Sequence, residues 1–234
     1  MASKTSLLEA VRAFDWKAVD ADLRERPDLL GHREERAKNW LHVLCSTRLK
    51  GRKPAASIKT ADVLLAHGID VHAHAFTEGS WKATPVWWCV SWGRNLALAE
   101  HLLKLGATAD YSMFAACWND DVAALDLLLK YGARVDDSTS GRETPFLGAI
   151  TWSRFRFAET LLQRGADVNA RAEDGTTPLI AAAQRGLVAV GEMLIARGAD
   201  MELRNKKEQN AWLIAAMANH LEFVELLRKT REKK

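Results

Sequence analysis

One short motif recurs along the chain at a nearly constant interval, and it limits the possible folds more than any other feature. Two leucines, or the pair Leu-Ile, stand three and four residues before a glycine. The five glycines of this motif are Gly68, Gly106, Gly132, Gly165 and Gly198, and the last two intervals are 33 residues each. A period of this length is typical of repeat proteins, in which each unit buries its apolar face only by stacking on its neighbours.

A proline upstream of three of these glycines marks where a helix begins. Thr-Pro occurs at Pro85, Pro145 and Pro178, and proline suits the first position of a helix. An apolar helix is predicted after each proline, then a short break, then a second helix that ends at the glycine, which favours a left-handed C-cap. The interval from proline to glycine is 20 residues in the last two of these units, but 21 from Pro85 to Gly106.

The sequence GADVNARAEDGTTPLIAAAQRG, within residues 140–234, resembles the ankyrin repeat closely, and the pattern is still clear over residues 36–139. The resemblance implies an all-α ankyrin-repeat solenoid, with stacked helix-turn-helix units, projecting turn or hairpin fingers, and capping helices at both ends. The implied domains are an N-terminal capping helix pair at 1–35, five repeats at 36–78, 79–109, 110–139, 140–172 and 173–205, and a C-terminal capping repeat with a basic tail at 206–234.

The first repeat is longer than the others. We call the position that proline occupies the start position of a unit; Trp40, Ser112 and Ala211 hold it where proline is absent. From Trp40 to Gly68 the interval is 28 residues, eight more than in the regular units. The extra segment KGRKPAAS, at 50–57, is rich in turn-forming and basic residues and is predicted to be a loop between two helices.

The turns between units also differ in length. Counted from the preceding closing glycine, 17 residues lead to Pro85 and only six to Ser112, whereas the later units use 13. In ankyrin proteins this turn projects as a finger beside a concave groove. A long finger is therefore predicted at 69–84 and almost none at 107–111, which would leave a notch beside the third and fourth units.

Tryptophans fall where ankyrin proteins contact their partners. The first helix of an ankyrin unit lines the groove, and the residues six and seven positions after the start position are its usual contact residues. Three consecutive units carry tryptophan there, and we call Trp92, Trp118 and Trp152 the groove tryptophans. The predicted partner-binding residues are Trp81, Trp92, Trp118 and Trp152, with a polar rim of Arg142, Glu143, Gln184 and Arg185.

Tryptophan can also be an ordinary core residue. Trp40, Trp87, Trp88 and Trp212 fall within the apolar register of their helices and are predicted to be buried. The groove tryptophans lie outside that register. Exposed indoles are uncommon unless they are used, and a buried indole needs a partner for its N–H.

The residues that usually carry catalysis or bind metals lack the required patterns. Cys45, Cys89 and Cys117 occupy small inner positions where the last two units have alanine, so they are predicted to be buried and reduced. His42 holds the usual structural histidine position of the repeat, and the pair His72 and His74 lacks nearby Cys or carboxylate ligands. No Gly-rich phosphate loop, serine elbow or CxxC motif occurs. No catalytic residue, metal site or cofactor is therefore predicted.

Composition narrows the possible functions further. The chain has 33 basic and 30 acidic side chains, a net charge of +3, which disfavours nucleic-acid binding. No apolar run approaches the roughly 20 residues of a membrane span, and three cysteines suit a reducing compartment. The favoured function is a cytoplasmic, monomeric, non-enzymatic module that binds a protein through its groove and fingers. The alternative is small-molecule binding or catalysis in a Trp-lined notch between the third and fourth units.

Overall fold

A computed structural model of the protein describes residues 1–78, 81–136 and 143–232. Consecutive helices pack as pairs along the chain. The α-helices are α1 (Lys4–Ala13), α2 (Trp16–Glu25), α3 (Trp40–Ser46), α4 (Pro54–Ala66), α5 (Pro85–Trp88), α6 (Leu96–Lys104), α7 (Met113–Trp118), α8 (Val122–Lys130), α9 (Pro145–Thr151), α10 (Phe155–Gln163), α11 (Pro178–Gln184), α12 (Val188–Ala196), α13 (Ala211–Met217) and α14 (Leu221–Glu232). Shorter elements are 3-10 turns at Pro27–Gly31 and Glu35–Ala37, a π turn at Cys89–Gly93, and the strands β1 (Thr77–Glu78) and β2 (Trp81–Lys82).

The chain forms two compact units, the first of residues 1–119 and 123–133, the second of residues 120–122 and 134–234. In the first unit, α3 packs between α1 and α5, and α4 packs between α2 and α6. The first helices of successive pairs thus stack on each other, and the second helices do the same. Trp40, Leu44 and Leu64 are fully buried between these layers. Burial of one leucine-sized side chain contributes about 1.5–3 kcal/mol.

The second unit repeats this arrangement with α11 between α9 and α13. Every residue from Pro178 to Ala183 is buried, because α9 and α13 cover both sides of α11. Gly191 of α12 lies against Phe223 of α14, where an added Cβ would come within 2.7 Å of the phenyl ring. The second helices of these two pairs are therefore in close contact.

The helix boundaries confirm the pattern predicted from the Thr-Pro and Gly landmarks. In each Thr-Pro pair the proline is the first helical residue, and the threonine hydroxyl accepts a hydrogen bond from the amide three residues later, as an N-cap does. All five closing glycines have φ between 89° and 96°, the left-handed conformation expected after a helix C-terminus. Both landmarks act within a single unit.

One predicted boundary is wrong. The basic loop was expected at 50–57, but α4 begins at Pro54, with this proline as its first residue. The loop is therefore 47–53, and Ser57 is a buried residue of α4 whose hydroxyl donates to the carbonyl of Pro54 at 2.7 Å. Proline at this position starts a helix rather than a turn.

The two turns of unusual length follow the prediction. The finger before Pro85 is a hairpin in which β1 pairs with β2 in the antiparallel sense. The side chain of His42 holds its base, because its Nε2 is 3.0 Å from the carbonyl oxygen of Ala73. The turn at 107–111 has no strand and only a local hydrogen bond, from the amide of Asp110 to the hydroxyl of Thr108.

Burial of the cysteines is confirmed, since all three are free thiols with no exposed surface. Cys45 and Cys89 are neighbours, and burial together with this contact raises the pKa of the Cys45 thiol. Such thiols resist ionisation and therefore react slowly.

Two of the four predicted core tryptophans are buried, Trp40 completely and Trp88 with 4% of its surface exposed. The indole N–H of Trp40 donates to the carbonyl of Leu29 at 2.7 Å. Trp87 is half-buried, with its ring edge-on to that of Trp88. The prediction for Trp212 is wrong, because 42% of this side chain is exposed on α13, beside exposed Leu213 and Met217.

Within the described residues, no helix combines the length and the apolar character that crossing a membrane requires. The same residues contain no group of three or more His, Cys, Asp or Glu side chains placed to hold a metal ion.

We expect the amide hydrogens of helices α9–α12 to exchange more slowly than those of residues 36–75. The units between 140 and 205 are nearest to the regular repeat, and the stability of a repeat array is roughly the sum of its units and their interfaces. Native-state hydrogen exchange followed by mass spectrometry would test this. Slowest exchange within 36–75 would contradict it.

A candidate partner-binding surface

The residues predicted to line the groove are accessible to solvent. None of the twelve positions that lie six and seven residues after a start position is buried. These positions are Ser46, Thr47, Ser91, Trp92, Trp118, Asn119, Thr151, Trp152, Gln184, Arg185, Met217 and Ala218.

The groove tryptophans differ in exposure. In the first unit, Trp92 is 56% exposed and Trp118 is 60% exposed. Trp152 belongs to the second unit, where it is the C-cap of α9 and is partly buried. We call Trp92 and Trp118 the tryptophan face; its extension to Trp152 stays a prediction.

Trp92 lies in a stretch that contains one extra residue. In the second unit, the amide of Arg154 donates to the carbonyl of Ala149, five residues earlier. At the equivalent place in the first unit, the amide of Asn95 donates to the carbonyl of Cys89, six residues earlier. The π turn absorbs this residue, which accounts for the interval of 21 rather than 20. Insertions of this kind in helices are frequent at functional sites, and this one presents Trp92 to solvent.

The π turn is fixed on its inner side by close contact with α3. A Cβ on Gly93 would lie 2.0 Å from the carbonyl oxygen of Cys45. Only glycine allows this approach, so the backbone next to Trp92 is held in place.

Asn119 connects the two residues of the tryptophan face. Its side-chain amide donates to the carbonyls of Val90 and Ser91, at 3.1 Å and 3.0 Å. Because Asn119 follows Trp118 and Ser91 precedes Trp92, these bonds hold the two tryptophans on adjacent turns.

The loop at 47–53 lies against the other side of Trp92. The Nε of Arg48 donates to the carbonyl of Trp92 at 3.2 Å. Arg52 holds the loop down, because its guanidinium donates to the carbonyls of Arg12 and Arg48 and lies 4.0 Å from the ring of Phe14. The loop therefore joins the end of α1 to the π turn.

Comparison with known proteins supports the fold. A family model described as ankyrin repeats, in three copies, matches residues 169–234. A search of curated protein sequences gave no significant match. The solved ankyrin repeat domain of human ASB11 is 24% identical, with a TM-score of 0.72 over 95% of this chain and 96% of that chain. That of Bcl-3, described as a unique member of the IkappaB protein family, is 22% identical, with a TM-score of 0.75 over 95% of this chain and 97% of that chain. The chain folds as an ankyrin repeat protein.

The ankyrin register also explains Arg185, which the sequence assigned to the polar rim. Arg185 and Asn119 lie at the same position of their repeats. The Nη1 of Arg185 is 2.8 Å from the carbonyls of Ile150 and Thr151, and its Nη2 is 2.7 Å from the hydroxyl of Ser153. In each unit this position thus caps the end of the first helix of the preceding repeat. The sequence register predicted exposure here but not this hydrogen-bonding role.

Of the other predicted rim residues, Glu143 is partly buried and Gln184 is exposed. Burial raises the pKa of Glu143, and the charge of Asp174 raises it further. Arg142 lies outside the described residues, as does the side chain of Trp81.

Two cavities bear on the alternative function. One of about 200 Å³ in the second unit lies between the fingers and the first helices, and Gln184, Asp174 and Lys206 are among its lining residues. Another, of about 460 Å³ in the first unit, is lined by residues such as Asp62, Asp70 and Leu105. None of the groove tryptophans lines either cavity.

Proposed function

We propose that this ankyrin repeat protein is a non-enzymatic binding module whose tryptophan face holds a segment of a partner protein. The observation that carries the proposal is the exposure of two indoles on adjacent, hydrogen-bonded turns of one unit. Ankyrin repeat domains are generally protein-interaction modules, and the matches to this chain have that fold.

Physical chemistry favours a protein segment as the occupant. Tryptophan is among the residues most enriched at the energetic centres of protein interfaces, because it offers a large rigid apolar surface with one polar group. A cluster of exposed indoles without an occupant promotes aggregation. Asn119 and Gly93 hold this face in position before any partner binds, and such preorganisation lowers the entropic cost of association.

We expect Trp92→Ala and Trp118→Ala each to weaken partner binding by about 2 kcal/mol, which is about 30-fold in Kd. Truncation removes the apolar area that a partner would cover, whereas exposed side chains contribute little to folding. Peptides selected on the immobilised wild-type protein from a random displayed library provide the ligands. Their affinities for each variant are then measured by fluorescence anisotropy, and unfolding in urea is measured alongside.

Trp212→Ala is the matched control, since it removes a tryptophan of similar exposure from the last helix pair. Selected peptides should bind this variant as they bind wild type. Equal affinity for all three variants would place the binding site elsewhere. A loss of several kcal/mol of folding stability in Trp92→Ala and Trp118→Ala would instead show that these residues are core.

A further inference from the structure

The loop at 47–53, TRLKGRK, is the most basic segment of the first unit that lies near the tryptophan face. Four of its seven residues are cationic and none is acidic. Arg48, Lys50 and Lys53 are exposed, while Arg52 is partly buried by its contacts with Arg12 and Phe14. We call residues 47–53 the basic loop.

The charges of this loop are not neutralised within the protein. Arg48 and Arg52 donate to backbone carbonyls, and neither Lys50 nor Lys53 has a carboxylate partner among the residues that the structure describes. The helix α14 is different, because Arg228 there lies between Glu225 and Glu232. The basic loop therefore presents positive charge that is available to a ligand.

The basic loop and the tryptophan face are adjacent. Arg48 bonds directly to the carbonyl of Trp92. Both segments are departures from the regular repeat, eight extra residues in one unit and one extra residue in the next. Two insertions in consecutive units thus meet at one place on the first unit, where neither is needed to continue the repeat.

We propose that the tryptophan face and the basic loop form a single docking surface for an acidic peptide segment of a partner protein. Apolar side chains of the segment pack on Trp92 and Trp118, and its carboxylates lie over Lys50 and Lys53. Complementary charge of this kind gives specificity and fast association. The inference rests on the proposed function and adds the chemistry of the partner.

Charge favours a peptide over a nucleic acid. A nucleic acid needs cations along the whole path of its backbone, but here they are confined to one side of the indoles. Asp120 and Asp121 follow Trp118 in the sequence, so phosphates on that side would meet negative charge. A peptide can instead place its carboxylates at the basic loop and its apolar residues beyond it.

The test uses a short fluorescein-labelled peptide that alternates Glu with Leu, and a second peptide of the same length with Gln in place of Glu. Anisotropy titrations on the full chain should show tighter binding of the Glu peptide. Raising the ionic strength to about 1 M, where the screening length falls to about 3 Å, should remove that preference. Lys50→Gln with Lys53→Gln should weaken the Glu peptide by about threefold to tenfold, since each exposed ion pair contributes modestly.

The control is Lys206→Gln with Lys207→Gln, which removes the same net charge from the second unit. Binding of the Glu peptide to this control should equal wild type. Equal losses in both pairs, equal binding of the two peptides, or tighter binding of single-stranded oligouridylate through Lys50 and Lys53 would each overturn the inference. Loss of peptide binding in Trp92→Ala without loss in the Lys50 and Lys53 pair would overturn only this inference and leave the proposed function standing.

Discussion

Replacement of Gly93 by alanine is expected to destabilise the first unit by about 3 kcal/mol. A Cβ at this position would lie 2.0 Å from the carbonyl oxygen of Cys45 and 3.1 Å from its carbonyl carbon, although Cβ atoms essentially never approach other atoms within 3.0 Å. Overpacking costs about 1–3 kcal/mol where neighbouring atoms can adjust. Here the neighbour is backbone at the end of α3, so the π turn and α3 must separate.

Urea unfolding followed by tryptophan fluorescence would measure this loss. Seven of the nine tryptophans lie in the first unit, so the signal reports mainly on that unit. Gly31→Ala is the control, since no atom lies within 4 Å of the added Cβ and the backbone is not left-handed; its change should stay within about 0.5 kcal/mol. Wild-type stability for Gly93→Ala would mean that α3 and the π turn are not in close contact. Peptide affinity should fall with stability, because Trp92 precedes Gly93.

Features that depend on contacts within one repeat could be predicted from the sequence. Thr-Pro starts a helix through a hydrogen bond three residues long, and a closing glycine ends one through its own backbone conformation. The burial of Cys45, Cys89 and Cys117 also followed, because their register places them at small inner positions of the first helices. The spacing of these landmarks was enough to predict the fold.

Features that depend on the neighbouring repeat could be predicted only in part. The interval of 21 residues indicated an irregular unit, but the form of the π turn follows from the approach of Gly93 to Cys45, 48 positions away. The hydrogen bonds of Asn119 and Arg185 likewise reach carbonyls about one repeat earlier. Exposure of these positions was predicted, whereas their capping role was not.

The error at Trp212 has a similar origin. Leu179 lies at the same position one repeat earlier and is buried, because α13 packs on α11. Trp212 has the same apolar register, but no described element covers α13 as α13 covers α11. Register therefore predicts burial only where another repeat follows on that side.

Stability of the first unit is expected to fall as the solution is acidified, because His42 must stay neutral. Its ring is 1% exposed, its Nδ1 accepts the amide N–H of Asn39 at 3.3 Å, and its Nε2–H donates to the carbonyl of Ala73 at 3.0 Å. A second proton on Nδ1 would face the N–H of Asn39. Burial lowers the pKa of His42 from 6.5 to about 4. The unfolded chain binds a proton that the folded chain excludes, so this stability is present above pH 6.5 and is lost as the pH falls towards 4.

The full loss is about 3 kcal/mol, and about 2 kcal/mol of it falls between pH 7 and pH 5. Urea unfolding at these two pH values, on wild type and on His42→Gln, would measure it. Glutamine retains a donor for the carbonyl of Ala73 but has no imidazole to titrate, so the drop between the two pH values should be smaller by about 2 kcal/mol. Leu44→Ala, a buried substitution in the same helix, controls for general destabilisation and should keep the wild-type drop. An undiminished drop in His42→Gln would assign the acid sensitivity to other groups. A reduced drop in that variant alone would show that the link between α3 and the base of the long finger depends on a neutral His42.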